Sequence, residues 1–175
     1  MKKLTFITLL LFLIISTNCF SQKYSQISKA EIYSFINTGF FTKKYKSILI
    51  REPIQIELTD TLLIFNDSIF SPNDNAFLKE QIINMHRFKW EAIKNLKLMD
   101  KASDPFEYWN KHNNNFKTFT GVGEMSTPLF SVDRSKCMII FNWFCGEMCG
   151  DAGFYYYQKV NGKWELITRL HNSFR

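Results

Sequence analysis

The sequence predicts an α+β fold, in which N-terminal helices pack on an antiparallel sheet whose C-terminal part is a β-meander. Two segments in the first half combine a helix-start signal with apolar residues at helical spacing. The last third alternates β-rich runs with turn signals. Residues 22–175 suffice for one hydrophobic core and are interpreted as a single α+β domain.

Residues 1–21 are predicted to be a signal peptide. Lys2 and Lys3 form a basic start, an apolar run over 4–16 follows, and cleavage is expected after Ser21. An apolar helix of about 13 residues spans only about 20 Å, less than the hydrocarbon core of about 30 Å. The segment is therefore expected to be removed, which places the mature protein in the periplasm or outside the cell.

Cys19 allows a second interpretation of the leader. A lipoprotein signal places a small residue directly before the lipidated cysteine, and Asn18 at that position fits poorly. Lipidation at Cys19 would make the protein membrane-anchored. Contact with the membrane is expected only through the signal segment or through this lipid.

Charge and motifs limit the possible functions. The formal net charge is +6, removal of Lys2 and Lys3 lowers it by two, and the other basic residues are scattered. Nucleic-acid binding needs a concentrated basic stripe, so no nucleic-acid partner is expected. The three histidines are isolated, and no metal, nucleotide or hydrolase motif is present. We therefore expect no cofactor, no metal site and no catalytic set.

The first half carries two helix signals. Ser28 and Glu31 have the spacing of a capping box, which predicts a helix over 28–37. Ser71 as N-cap, with Pro72 at the first helical position, predicts a second helix to about residue 86. Three extended segments are expected between the helices: 47–51, 54–58 and 61–65. A short helix is expected after Asp104.

The C-terminal third predicts the meander. The extended segments are 128–132, 136–144, 154–160 and 163–170, with turns at 133–134 and 161–162; residues 121–123 are interpreted as a further turn. Asn161-Gly162 is a strong signal for a two-residue hairpin turn. Such a turn places Lys159 opposite Trp164, Tyr157 opposite Leu166 and Tyr155 opposite Thr168, while Tyr156 pairs with Ile167 on the other face. Core packing is favoured for these aromatic residues.

The cysteines predict one disulfide bond. If the chain reverses between Cys145 and Cys149, these residues face each other within disulfide range. Closing so short a loop contributes about 2 kcal/mol. Cys137 lies about 26 Å from Cys145 along the same strand. We therefore predict that Cys137 is a free, buried thiol.

The segments 145–150 and 162–164 carry a family resemblance. With a Cys-Gly-x-x-Cys-Gly turn and a Gly-Lys-Trp hairpin, the chain resembles a loose group of uncharacterised exported Bacteroidota-type proteins. The resemblance covers mainly residues 128–168 and implies export and fold, but no activity. The closing hairpin is also similar to the last strands of cone-shaped NTF2-type folds, although the strand-rich region between the helices departs from that pattern.

Two functional hypotheses follow. The first is a non-catalytic cell-envelope module that binds a protein or a small molecule through an aromatic-rich sheet face. Its candidate binding residues are Tyr155, Tyr157, Trp164, Glu147 and Asp151. The alternative is an extracytoplasmic, hydrolase-like enzyme with a site near the loop 145–151, which requires a histidine and acidic residues to converge there.

Overall fold

The computed structural model describes residues 26–40, 48–57, 68–85, 87–93, 96–100, 121–146 and 149–171. Helix α1 spans Lys29–Phe35 and continues as a π-helical turn over Ile36–Phe40; helix α2 spans Pro72–Asn84. The strands are β1 Ile48–Ile50, β2 Lys97–Met99, β3 Val122–Met125, β4 Leu129–Phe130, β5 Lys136–Gly146, β6 Cys149–Val160 and β7 Lys163–His171. The predicted leader, the segment 61–65 and the helix after Asp104 lie outside the described residues.

Both helices begin where the sequence predicts. Ser28 and Glu31 form a complete capping box at α1, and Ser71 and Asp74 form another at α2. Each pair satisfies backbone N–H groups that a helix start leaves without an intrahelical acceptor. The α+β class is therefore confirmed, and the local signals position both helices correctly.

The sheet is mixed. Its strand order is β2-β1-β3-β5-β6-β7, and β4 pairs with the end of β5 that β3 does not cover. β1 runs parallel to β2 and β3, whereas β3 to β7 pair antiparallel. Parallel neighbours need a long crossover connection, and the chain from β1 to β2 includes α2. The expected antiparallel pairing thus holds for the C-terminal part, which is the predicted meander.

Each face of the sheet packs against one helix. Cys137, Ile139 and Phe141 belong to the core that includes α1, whereas Met138 packs with residues of α2. Successive residues of a strand point to opposite faces, so β5 supplies apolar side chains to both cores. Among the described residues, the aromatic rings are therefore divided between two cores, one on each face of the sheet.

Two predicted segments differ from the structure. Residues 121–123, interpreted as a turn, include the start of strand β3, and Gly123 permits the close approach of the Phe141 ring. The segment 54–58 was expected to be extended, but of residues 54–57 only Ile54 forms a bridge, to Ser126. The side-chain amide of Gln55 donates to the carbonyl of Pro53.

The closing hairpin follows the predicted register only near its turn. Lys159 faces Trp164 and Tyr157 faces Leu166, as predicted. Beyond them, Ile167 is an extra residue in β7, so Tyr156 faces Thr168 and Tyr155 faces Arg169. The predicted pairs Tyr155–Thr168 and Tyr156–Ile167 are therefore wrong, because a β-bulge shifts the register by one residue.

Asp74 connects α2 to the turn between β4 and β5. Its carboxylate accepts hydrogen bonds from the backbone N–H of Val132 at 2.8 Å and from the backbone and hydroxyl of Ser71 at 2.9 and 2.7 Å. Burial is the largest single effect on this carboxyl and favours its neutral form. The hydrogen bonds together outweigh burial and lower the pKa of Asp74 below its ordinary value.

We expect this contact to make the protein acid-sensitive. Because the folded-state pKa of Asp74 is lowered, its contribution is present above the unfolded pKa of about 4 and is lost as pH falls through the folded value. Asp74→Asn should lower the free energy of unfolding by about 1–2 kcal/mol at neutral pH and flatten its decline below pH 5. Urea unfolding measured at several pH values checks this; an unchanged slope in the variant would contradict it.

Candidate functional site

The cysteine reversal joins β5 to β6. Phe144 faces Gly150 and Gly146 faces Cys149, so Cys145 is the extra residue of a bulge. The prediction that Cys145 and Cys149 face each other is therefore wrong, because the bulge shifts the register by one residue. Cys145 is disulfide-bonded. The side chain of Cys149 lies outside the described residues, so its pairing with Cys145 stays a prediction. Cys137 is free and buried, as predicted, and burial raises the pKa of its thiol.

Asp151, Tyr155 and Arg169 form a polar corner close to this reversal. Arg169 makes an ion pair with Asp151, and its guanidinium carbon lies 4.7 Å from the centre of the Tyr155 ring. The hydroxyl of Tyr155 donates to Asp151 at 3.5 Å. The three groups thus contact one another. These contacts link β6, which carries Asp151 and Tyr155, to β7, which carries Arg169.

The hydrolase-like alternative needs a histidine at this corner. The register places His171 opposite Gly153, on the strand that carries Arg169. The side chain of His171, and the whole of Glu147, His86 and His112, lie outside the described residues. Within the described part of the chain, no group of three or more histidine, cysteine, aspartate or glutamate side chains could hold a metal ion.

The predicted aromatic binding face is part of the core. Tyr155 and Tyr157 are only 8% and 7% exposed, and the ring of Trp164 packs 5.2 Å from that of Phe35. The π-helical turn after α1 covers this face, with Phe40 lying 5.7 Å from Tyr155 between ring centres. These rings are therefore not an open stacking surface, because α1 and its extension bury them.

A cleft between α1 and α2 is a feature that the sequence did not reveal. Its volume is about 280 Å³, and Ile32, Phe77 and Gln81, all buried, lie at its floor. The partly exposed apolar side chains of Ile27, Met85 and Phe88 line its walls. These residues come from three separate segments, so no local motif could have indicated them.

The rim of the cleft is polar and carries both charges. It comprises Gln26, Lys29, Glu80, Asn84 and Arg87. Lys29 pairs with Glu91 at 2.6 Å, and the hydrogen bond to that carboxylate raises the pKa of Lys29. The side chains of Glu80 and Arg87 form no ion pair or hydrogen bond within the part of the chain that the structure describes.

Gln81 fixes one wall of the cleft to the sheet. Its side-chain amide donates to the carbonyl of Phe130 at 2.7 Å, and its carbonyl accepts from the N–H of the same residue at 2.9 Å. A buried polar group needs such partners, and here one side chain satisfies both backbone groups of an edge residue.

No helix within the described ranges is long and apolar enough to cross a membrane. Comparisons of the chain with protein-family models, with curated proteins and with solved structures gave no match.

Proposed function

We propose that the chain is an exported, non-catalytic binding module that holds a small apolar ligand in the cleft between α1 and α2. Export rests on the predicted signal peptide. The observation that carries the binding role is the cleft itself, which combines a floor that is apolar except for Gln81 with polar side chains at its rim. This composition is typical of small-molecule sites.

The size and lining of the cleft limit the ligand. Small-molecule pockets usually enclose about 300–1,000 Å³, and this cleft of about 280 Å³ lies at the lower limit. Ile27, Met85 and Phe88 leave apolar surface accessible on its walls, and covering such surface gains about 25 cal/mol per Å². Met85 adds adaptability, because its unbranched side chain fills irregular spaces.

Hydrogen bonds and an ion pair hold the walls of the cleft together. The backbone N–H of Glu91 donates to the hydroxyl of Tyr33 on α1 at 2.8 Å, and the Glu91 carboxylate pairs with Lys29. These contacts tie α1 to the segment that follows α2, while Gln81 ties α2 to β4. A site whose walls are fixed beforehand loses little conformational freedom when a ligand binds.

Binding can be tested with 1-decanol as the probe and the methyl group of ¹³C-labelled Met85 as the reporter. On the mature chain, 22–175, we expect a saturable shift of the Met85 methyl resonance. Asn84→Trp should place an indole ring over the cleft and weaken binding at least about tenfold. The exposed position of Asn84 makes this change compatible with folding.

Ile83→Trp is the matched control. Ile83 is the neighbouring residue on α2, is exposed, and does not line the cleft. This variant should bind 1-decanol like the unaltered protein. The proposal fails if the Met85 methyl resonance shows no saturable shift in the unaltered protein, or if both tryptophan variants lose binding equally.

A further inference from the structure

We infer that the ligand of the cleft between α1 and α2 is a zwitterion with a long apolar side chain, of the chemical class of the α-amino acids. The inference rests on the proposed function, because it concerns the ligand of that same cleft. The ammonium and the carboxylate of such a ligand lie at the polar rim, and its apolar side chain lies against Ile32 and Phe77 at the buried floor.

The charged side chains of the rim carry the inference. Among the described residues these are Lys29, Glu80 and Arg87. Lys29 already has a partner, because its Nζ atom lies 2.6 Å from a carboxylate oxygen of Glu91. Two charges of opposite sign therefore remain available to a ligand, the carboxylate of Glu80 and the guanidinium of Arg87.

Glu80 and Arg87 also do not pair with each other, although both line the same cleft. Glu80 lies on α2, and Arg87 follows the end of that helix. Both residues are exposed, so a ligand can reach them without a change in the core. A head group that carries one charge of each sign can contact both side chains at once.

Charge complementarity distinguishes the classes of ligand. A carboxylate alone is attracted by Arg87 and repelled by Glu80, whereas an ammonium alone meets the reverse. An uncharged head group gains from neither charge. Exposed ion pairs stabilise only modestly, so the zwitterion is favoured over the other classes by a factor of about ten.

The side-chain amides of the rim suit the same head group. Gln26 precedes α1 and Asn84 is the last residue of α2, so both walls of the cleft contribute one. Each amide has an oxygen that can accept from an ammonium and an NH₂ group that can donate to a carboxylate. The volume of about 280 Å³ lies at the lower limit for small-molecule sites, which suits one amino acid better than a peptide.

Four probes with the same ten-carbon chain test the class of ligand: 2-aminodecanoic acid as the zwitterion, decanoate, decylammonium and 1-decanol. Each is titrated into the mature chain at neutral pH, with the Met85 methyl resonance as the reporter. We expect the zwitterion to bind about tenfold more tightly than each of the other three. Equal affinities, or tightest binding of any other probe, would overturn the inference and leave the proposed function standing. No saturable shift with any probe would overturn both.

Two variants test the charged contacts one at a time. Glu80→Gln should abolish the preference for the zwitterion over decanoate, and Arg87→Gln should abolish its preference over decylammonium, because each variant removes one of the two charges. Lys89→Gln is the control, since Lys89 pairs with Glu52 at 3.4 Å and does not line the cleft. The control should bind the four probes in the original order. Unchanged preferences in the first two variants, or the same loss in the control, would contradict the inference.

Discussion

Replacement of Gly121 by alanine is expected to prevent folding, or to lower the free energy of unfolding by about 4 kcal/mol or more. Gly121 has a φ of +142°, in a region that side chains strongly disfavour. A Cβ atom there would lie 2.3 Å from the carbonyl oxygen of Phe144 and 2.7 Å from the Trp143 ring. Backbone cannot move aside as a flexible side chain can, so β3 would lose its pairing with β5.

Gly162→Ala separates the steric effect from the effect of backbone conformation. Gly162 also has a positive φ, +78°, but a Cβ atom there would have no neighbour within 4 Å. This change should cost only about 1 kcal/mol, the conformational preference of glycine alone. Urea unfolding followed by tryptophan fluorescence measures both variants. Similar decreases in the free energy of unfolding at the two positions would show that the close approach of Gly121 to Phe144 is not what makes glycine necessary there.

Replacement of Phe35 by alanine is expected to lower the free energy of unfolding by about 3–5 kcal/mol. Phe35 is fully buried and meets three rings edge-on, those of Phe130, Tyr157 and Trp164, with centres 5.2–5.9 Å apart. These rings belong to β4, β6 and β7. One side chain therefore fastens α1 to three strands, and its loss leaves a cavity between them.

Phe35→Leu is the matched variant for the cavity. It keeps most of the apolar volume but removes the edge-on ring contacts, which contribute about 0.5–1.5 kcal/mol per pair. Phe35→Leu should therefore lower the free energy of unfolding by clearly less than Phe35→Ala does. Chemical denaturation at constant pH provides the comparison. A loss below about 1 kcal/mol for Phe35→Ala would mean that α1 does not depend on this residue.

The parts of the fold that depend on neighbouring residues were predicted from the sequence. The capping boxes at Ser28 and Ser71 determine both helix starts, and Asn161-Gly162 determines the hairpin turn, where Asn161 and Gly162 both have positive φ. Each signal acts within a few residues, because it consists of a hydrogen bond or a dihedral preference.

The parts that depend on distant residues were not predicted. β1 has only three residues, too few for its sequence to indicate parallel partners. In β3, Gly123 interrupts the alternation of side chains that is typical of a strand. The bulge at Ile167 is a register shift between β6 and β7 that no local signal in the sequence indicates. The cleft was missed for the same reason, since its walls meet only after the helices have docked.

The position of β1 in the sheet, between β2 and β3, has a kinetic consequence. Both of its neighbours, β2 and β3, follow it in the chain only after α2, whereas β5 pairs with β6 and β6 with β7, each directly after the other in the chain. Contacts between distant segments form slowly, because closing a long loop costs conformational entropy before the contacts can stabilise the chain. We expect the hairpins of the C-terminal third to condense first, so an emerging chain cannot complete its N-terminal half until almost all of it has been released.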